Sequence, residues 1–257
     1  MRKMLELRDY LKKTKMAAGF LITISDPSVI ETFSFINPDF FIVDMEHSDI
    51  SIGTLTEMVV RSDNIPVIAR IKGNDKNEIK KILDTGVDGI IIPGIESYED
   101  AMLAVKYSIF PPDGIRGIGP GRVSGYGRNM REYLKKKPIV IIQIETKGAY
   151  RDLHKITQLE NLDGIFVGPV DLSNSLGMPF TWGDEVFLET IEKILRDAKD
   201  SGLITGIYSP FDKNALFEID KLNVNFLMYG MDREAMLIGY EGYFDLLKSI
   251  KVKQWVN

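Results

Sequence analysis

Several apolar runs in this sequence stop abruptly on residues that can do chemistry. FFIV is followed by Asp44-Met45-Glu46-His47, IPVIAR ends on Arg70, IIQIE supplies Gln143 and Glu145, and FVGPVDLS leads to Asp171. His47 is one of two histidines, and its imidazole suits a general base near neutral pH, with the carboxyls of Asp44 and Glu46 beside it in support. A loop histidine merely held by Asp44 fits the local sequence equally well. Glu145 and Asp171 offer an all-oxygen pair for a hard divalent cation such as Mg²⁺ or Mn²⁺, the alternative being two acids that share a proton. Arg70, buried in such a place, needs a negative partner, either a structural carboxylate or an anionic substrate. His154, beside Lys155 in a helical stretch, reads as a surface residue.

Residues this far apart in the chain meet only if strands bring their ends together. Eight short runs rich in Val, Ile and Phe are strand candidates: Gly19 to Ile24, Phe40 to Val43, Pro66 to Ile71, Gly89 to Ile92, Ile139 to Ile144, Gly164 to Val167, Ile204 to Ile207 and Phe226 to Met228. Most are apolar at every position, as in parallel strands covered on both faces. Amphipathic helical patterns fill the gaps at Ile52 to Arg61, Lys76 to Leu83, Tyr98 to Tyr107, Val186 to Lys199, Lys213 to Asp220 and Met231 to Ile250, with an extra helix near Leu5 to Lys13. Eight βα units without a linker predict an α/β protein: a single-domain (β/α)8 TIM barrel over residues 1–257 with an extra N-terminal helix. A doubly wound sheet is the alternative, weakened because no G-x-G-x-x-G follows the first strand. In a barrel, all the polar strand ends named above face one mouth.

Two loops stand out. Gly168-Pro169 ahead of Val170-Asp171 brings backbone N–H groups close to a ligand or makes a plain tight turn. Phe110 to Asn129 is too long for an ordinary βα connection and reads as a functional loop or an oligomer contact, its Arg116 and Arg122 binding anions or bracing the loop. The basic run Lys135 to Lys137 reads as a solvated helix end.

Composition narrows the function classes. The 257 residues contain no cysteine, which removes thiolate metal sites and cysteine nucleophiles. A net charge of −5 with interspersed signs gives no nucleic-acid surface, and no apolar run is long enough to span a membrane. Met1 to Met16 lacks the apolar stretch of a signal peptide, so a cytoplasmic protein is expected.

The segments VDMEH, IPVIARIKGND, ILDTGVDGIIIP, FPPDGIRGIGPGRVSGYG, IIQIET and FVGPVDLSNSLG, in this order over nearly the whole chain, resemble the HpcH/HpaI family of 2,4-dihydroxyhept-2-enedioate and 2-keto-3-deoxy sugar acid aldolases. The resemblance implies a class II pyruvate aldolase that reversibly cleaves a 4-hydroxy-2-oxo acid to pyruvate and an aldehyde. In such enzymes a divalent cation, Mg²⁺ or Mn²⁺ with Co²⁺ also compatible, polarises the oxo acid. It assigns Glu145 and Asp171 as metal ligands, His47 as base through water, and Arg70 as the group facing the developing enolate oxygen. Gln143 and the backbone at Val170 and Asp171 become pyruvate contacts, Val170 standing where Ala is usual. Asp84, otherwise a helix-terminal surface residue, becomes the carboxylate that orients the histidine, reaching it from a neighbouring subunit. The family likeness also implies a hexamer with the last helix exchanged between subunits, whereas a Schiff-base aldolase would need Lys72, and a barrel that only binds an acidic metabolite would need neither.

Overall fold

The computed structural model describes residues 4–178, 181–182 and 184–255. Eight parallel strands follow one another in chain order around a closed barrel: β1 (Ala17–Ile22), β2 (Phe40–Asp44), β3 (Val67–Arg70), β4 (Gly89–Ile92), β5 (Ile139–Ile144), β6 (Gly164–Val167), β7 (Ile204–Ser209) and β8 (Phe226–Met231), with β8 pairing back to β1. The helices are α1 (Met4–Lys13), α2 (Pro27–Ser34), α3 (Ile52–Arg61), α4 (Lys76–Asp84), α5 (Tyr98–Ser108), α6 (Met130–Leu134), α7 (Lys147–Arg151), α8 (Leu153–Ile156), α9 (Pro169–Leu176), α10 (Glu185–Asp200), α11 (Lys213–Leu222) and α12 (Asp232–Trp255). The expected (β/α)8 barrel and its extra first helix are therefore both present. α1 closes the amino end: Leu7 and Leu11 pack into the barrel interior, while Arg8 binds Asp163 and the carbonyls of Lys137 and Pro138 ahead of β5 and β6.

The expected strands hold to within a few residues, and the shifts have causes. β1 stops at Ile22, two residues short of the expected Ile24, because the N–H groups of Thr23 and Ile24 turn to the Asp232 carboxylate, each at 2.8 Å. The chain then enters α2, which the sequence reading missed. Asp26 caps that helix and Pro27 opens it, a start signal obscured by the apolar run in front of it. The long 110–129 segment is not a βα connection. It follows α5, so it lies at the amino end of the barrel, where Arg122 donates to the Thr85 carbonyl between α4 and β4.

Alternate strand residues fill the barrel. Phe40, Phe166 and Phe226 occupy the interior, with Phe226 stacked on Phe166 at 5.9 Å and edge-on to Phe40 at 5.8 Å. Glycines on neighbouring strands make room for them, since a Cβ at Gly19 would lie 2.3 Å from the Phe40 ring and one at Gly206 2.1 Å from Phe226. The opposite strand faces carry the Val and Ile that pack against the helices. This matching of large and small side chains is how a parallel barrel becomes a packed core rather than a pore. Gly206→Ala is accordingly expected to destabilise the fold by about 1–3 kcal/mol, measured by urea unfolding. Phe226→Leu in the same chain should recover part of the loss, and additive losses would contradict this packing.

Candidate active site

The same alternation that points Ile42, Ile68 and Ile141 into the barrel carries Asp44, Arg70 and Gln143 to its carboxyl-end mouth two residues later, and on β7 it carries Tyr208 there four residues after Ile204. Asp44 and Arg70 are register partners on β2 and β3. Arg70 grips Asp44 in a two-pronged pair, Nε to Oδ1 at 3.0 Å and Nη2 to Oδ2 at 2.8 Å, with both side chains largely buried. Burial works against the guanidinium's charge, but Asp44 and the nearby Glu46 and Glu145 outweigh it and hold Arg70 charged more firmly than usual. Asp44 Oδ1 also accepts the backbone N–H groups of Glu46 and His47, so one carboxylate shapes the whole Asp44–His47 turn.

Asp44 thus holds the backbone of His47, not its ring. The imidazole is exposed, with Nε2 3.6 Å from Glu46 Oε2. Glu46 Oε2 lies 3.3 Å from Arg70 Nε but is too poorly aligned to count as hydrogen-bonded, and it is buried without a partner. Desolvation raises the Glu46 carboxyl to about 7, with Arg70 opposing and Glu145, Asp44 and Asp171 adding to the rise. Glu46 therefore senses all three other acids, which places the four carboxyls in one neighbourhood.

Glu145 is buried beyond the end of β5. Its Oε1 accepts the Gly94 N–H at 2.7 Å and its Oε2 accepts from the Gln143 amide, while Gln143 Oε1 is buried without a partner. Gly94 has a φ of +67°, a backbone conformation that suits glycine and aims this N–H inward. A Cβ at Gly168 would come within 3.2 Å of Glu145 Oε2, so glycine there keeps space beside the carboxylate. Gly168 also begins α9, and it does so without a side-chain cap, whereas α2, α3, α4, α5, α10 and α11 each start on an Asp or Ser that caps them. The N–H groups of Val170 and Asp171 in this first turn are left without such a partner, and the turn attracts anions. The Asp171 side chain is exposed there, and so is that of Val170, at 45%.

Asp84 is not part of this mouth within one chain. It ends α4 at the opposite, amino end of the barrel, where its Oδ1 accepts from Arg116 at 2.6 Å and from the Tyr133 hydroxyl at 3.0 Å. Arg116 lies over the Phe110 ring and is buried, and Arg122 is bonded to a backbone carbonyl, so both arginines brace the loop. Lys72 is exposed and close enough to Glu78 to act on its charge, and His154 is exposed on α8. The sequence reading overlooked Tyr208, although it directly follows the apolar run Ile204 to Ile207 near the end of β7. It also overlooked Gly94, which only the positive φ reveals.

A closed parallel barrel with acids, an arginine and an uncapped helix start gathered at the strand ends has the build of a barrel enzyme. The family model for HpcH/HpaI aldolase/citrate lyase matches residues 18–235, and the chain belongs to that family. It is 31% identical over 205 residues to the 4-hydroxy-2-oxo-heptane-1,7-dioate aldolase of Shigella boydii serotype 18, covering 77% of this chain and 78% of that one. It is 32% identical over 209 residues to the pyruvate aldolase of Rhizobium etli, covering 79% and 82%. The crystal structure of an HpcH/HpaI aldolase/citrate lyase family protein from Burkholderia cenocepacia J2315 shares the fold with a TM-score of 0.86 at 23% identity, covering 95% and 99%. The chain is a carbon–carbon lyase.

Glu46 gives the site a testable pH dependence. A carboxyl held near 7 against an ordinary 4.5 is protonated more readily in the folded chain than in the unfolded one. Its stabilising contribution is complete below about 4.5 and is lost as pH rises through about 7. With a chelator present, Glu46→Gln should therefore gain stability over the parent between pH 5 and pH 8, by on the order of 2 kcal/mol. Denaturant unfolding at the two pH values measures this, and an equal difference at both would refute the assignment.

Proposed function

We propose that this lyase is a divalent-metal-dependent pyruvate aldolase that reversibly cleaves a 4-hydroxy-2-oxo acid to pyruvate and an aldehyde. The observation that carries the reading is the charge balance of the mouth: Asp44, Glu46 and Glu145 act on Arg70, Asp171 acts on Glu46, and one arginine stands against these four acids. Such an imbalance calls for a cation. Among the described residues no three His, Asp or Glu side chains form a closed metal cage, so the fit is to an open site. Glu145 and Asp171 supply oxygen donors for Mg²⁺ or Mn²⁺, and the unpartnered Gln143 Oε1 and the space at Gly168 leave room for water and substrate. When bound, such a cation would polarise the carbonyl of the oxo acid.

The chain's own groups account for the remaining steps. Gln143 and the N–H groups of Val170 and Asp171 bind the substrate carboxylate. Arg70 spends two of its five donors on Asp44 and turns the others toward the C2 oxygen. His47, through water, takes the proton from the C4 hydroxyl; the C3–C4 bond breaks, the aldehyde leaves, and the electron pair becomes the enolate of pyruvate. The charge on that enolate oxygen faces Arg70. The proton then returns to C3, which completes pyruvate.

The histidine needs an orienting partner that one chain does not provide. Asp84 fits the role from a neighbouring copy, because Oδ1 receives both of its hydrogen bonds and Oδ2 receives none among the described residues. α12 supports an assembly of copies: Leu237, Tyr240, Phe244, Leu247 and Ile250 are all exposed along one helix. The copy number proposed is a homo-hexamer.

Two measurements test the reading. With Mg²⁺ or Mn²⁺ the protein should exchange the methyl protons of pyruvate in D₂O, followed by NMR. Arg70→Ala and His47→Ala should each slow this exchange by roughly 100-fold, and His154→Ala should leave it unchanged. Absence of exchange with every divalent metal would sink the aldolase. Mixing His47→Ala with Asp84→Ala chains should restore activity, since one site of each mixed pair regains both residues. Mixtures no more active than their parents would remove Asp84 from the site.

A further inference from the structure

One side of the mouth carries polar groups that the reaction above does not use. Tyr208 is the last inward residue of β7, level with Met228 of β8, and packs on the barrel interior. Its hydroxyl makes no hydrogen bond among the described residues. Glu234 lies in the first turn of α12, and that turn is fixed over the end of β1. Asp232 accepts the Thr23 and Ile24 N–H groups and the Thr23 hydroxyl, the last at 2.6 Å. Glu234 Oε2 is buried there without a hydrogen-bond partner. Burial, and then the Glu234 carboxylate, push the Tyr208 phenol up, with Arg70 opposing, so Tyr208 lies within electrostatic reach of both.

Glu145, Gln143 and α9 occupy the β5–β6 side of the mouth, while Tyr208 and Glu234 occupy the β7–β8 side, with Arg70 acting on both groups. If pyruvate lies on the first side, the carbon that its C3 attacks must lie toward the second.

We propose that Tyr208 and Glu234 form the acceptor end of the site and select a neutral, hydroxylated aldehyde over one that bears a second carboxylate. The inference rests on the pyruvate aldolase reading. The phenol can donate to an acceptor oxygen, and the free Glu234 oxygen can accept from an acceptor hydroxyl. A semialdehyde would instead bring its carboxylate toward Glu234 in a partly desolvated pocket, where like charges repel. The relatives named for a heptane-1,7-dioate act on a molecule whose cleavage beyond pyruvate leaves a four-carbon semialdehyde with such a carboxylate. This chain is inferred to differ from them in acceptor.

The test is aldol addition of pyruvate to glyceraldehyde, propionaldehyde and succinic semialdehyde by the Mg²⁺- or Mn²⁺-loaded protein, with pyruvate proton exchange measured alongside. Glyceraldehyde should exceed both other acceptors in kcat/KM by about tenfold or more. Tyr208→Phe and Glu234→Gln should each lower the glyceraldehyde-to-propionaldehyde ratio about tenfold, and Glu234→Gln should narrow the discrimination against succinic semialdehyde. Succinic semialdehyde used as well as glyceraldehyde by the unsubstituted protein would overturn the proposal without any variant. Variants that slow all acceptors alike, leaving the ratios fixed, would overturn it too, because a merely structural role has that effect. Exchange without the acceptor preference removes this inference alone, whereas absence of exchange removes the aldolase reading and this inference with it.

Discussion

The mouth of the barrel depends on the pair between Arg70 and Asp44. Two N–H···O bonds tie a charged side chain on β3 to its register partner on β2, and both groups are largely out of water. Removing Arg70 would leave Asp44 buried and uncompensated, a loss of roughly 3–5 kcal/mol. The pair does more than satisfy itself. Asp44 also fixes the turn that presents Glu46 and His47, and Arg70 is the cation against which Glu46 and Glu145 gather. Burial of Glu46 beside these acids favours a proton there, and the proposed cation would answer the same negative charge. That competition links the local electrostatics to the proposed chemistry.

The barrel supplies the rigidity this needs. Phenylalanine rings set against glycines fill the interior below the mouth, so each strand end is held at a fixed height. Six of the helices, α2, α3, α4, α5, α10 and α11, are capped by their own Asp and Ser residues, whereas α9, which starts at the site, is not. An uncapped helix start has a small cost in stability and leaves backbone donors for a ligand. The same logic explains Gly94, whose positive φ turns an N–H onto Glu145 instead of into a strand ladder.

Much of this was legible in the sequence because one rule governs it: an apolar parallel strand that ends in a polar residue points that residue at the mouth. The rule found Asp44, Arg70, Gln143 and Glu145, and applied with equal rigour it would have found Tyr208. It had no hold on features created by folding back. Nothing local marks the Thr23 and Ile24 amides as ligands of Asp232, more than two hundred positions away, and so β1 was placed two residues too far along the chain. The long 110–129 loop was different: the helix expected at Tyr98 to Tyr107 already put it between a helix and the next strand, which is the amino end of the barrel, but its length drew the reading toward function. Asp84 shows a different limit: its residue type and helix-end position indicate a surface carboxylate, and only family likeness gave it a catalytic role.

α12 joins these themes. Its first turn is locked to the barrel by Asp232 and carries Glu234 into the mouth, while farther along it presents Leu237, Phe244 and Leu247 to solvent. A helix with so much exposed apolar surface draws little of its stability from its own chain, since tertiary packing usually supplies most of it. Whatever covers that surface therefore also steadies the turn that holds Glu234. Asp84, at the far end of the barrel, has a carboxylate oxygen that receives no hydrogen bond among the described residues. In the proposed assembly, neighbouring copies would act on the site from two directions, through the histidine and through the acceptor end, and the proposed catalytic unit extends beyond one barrel.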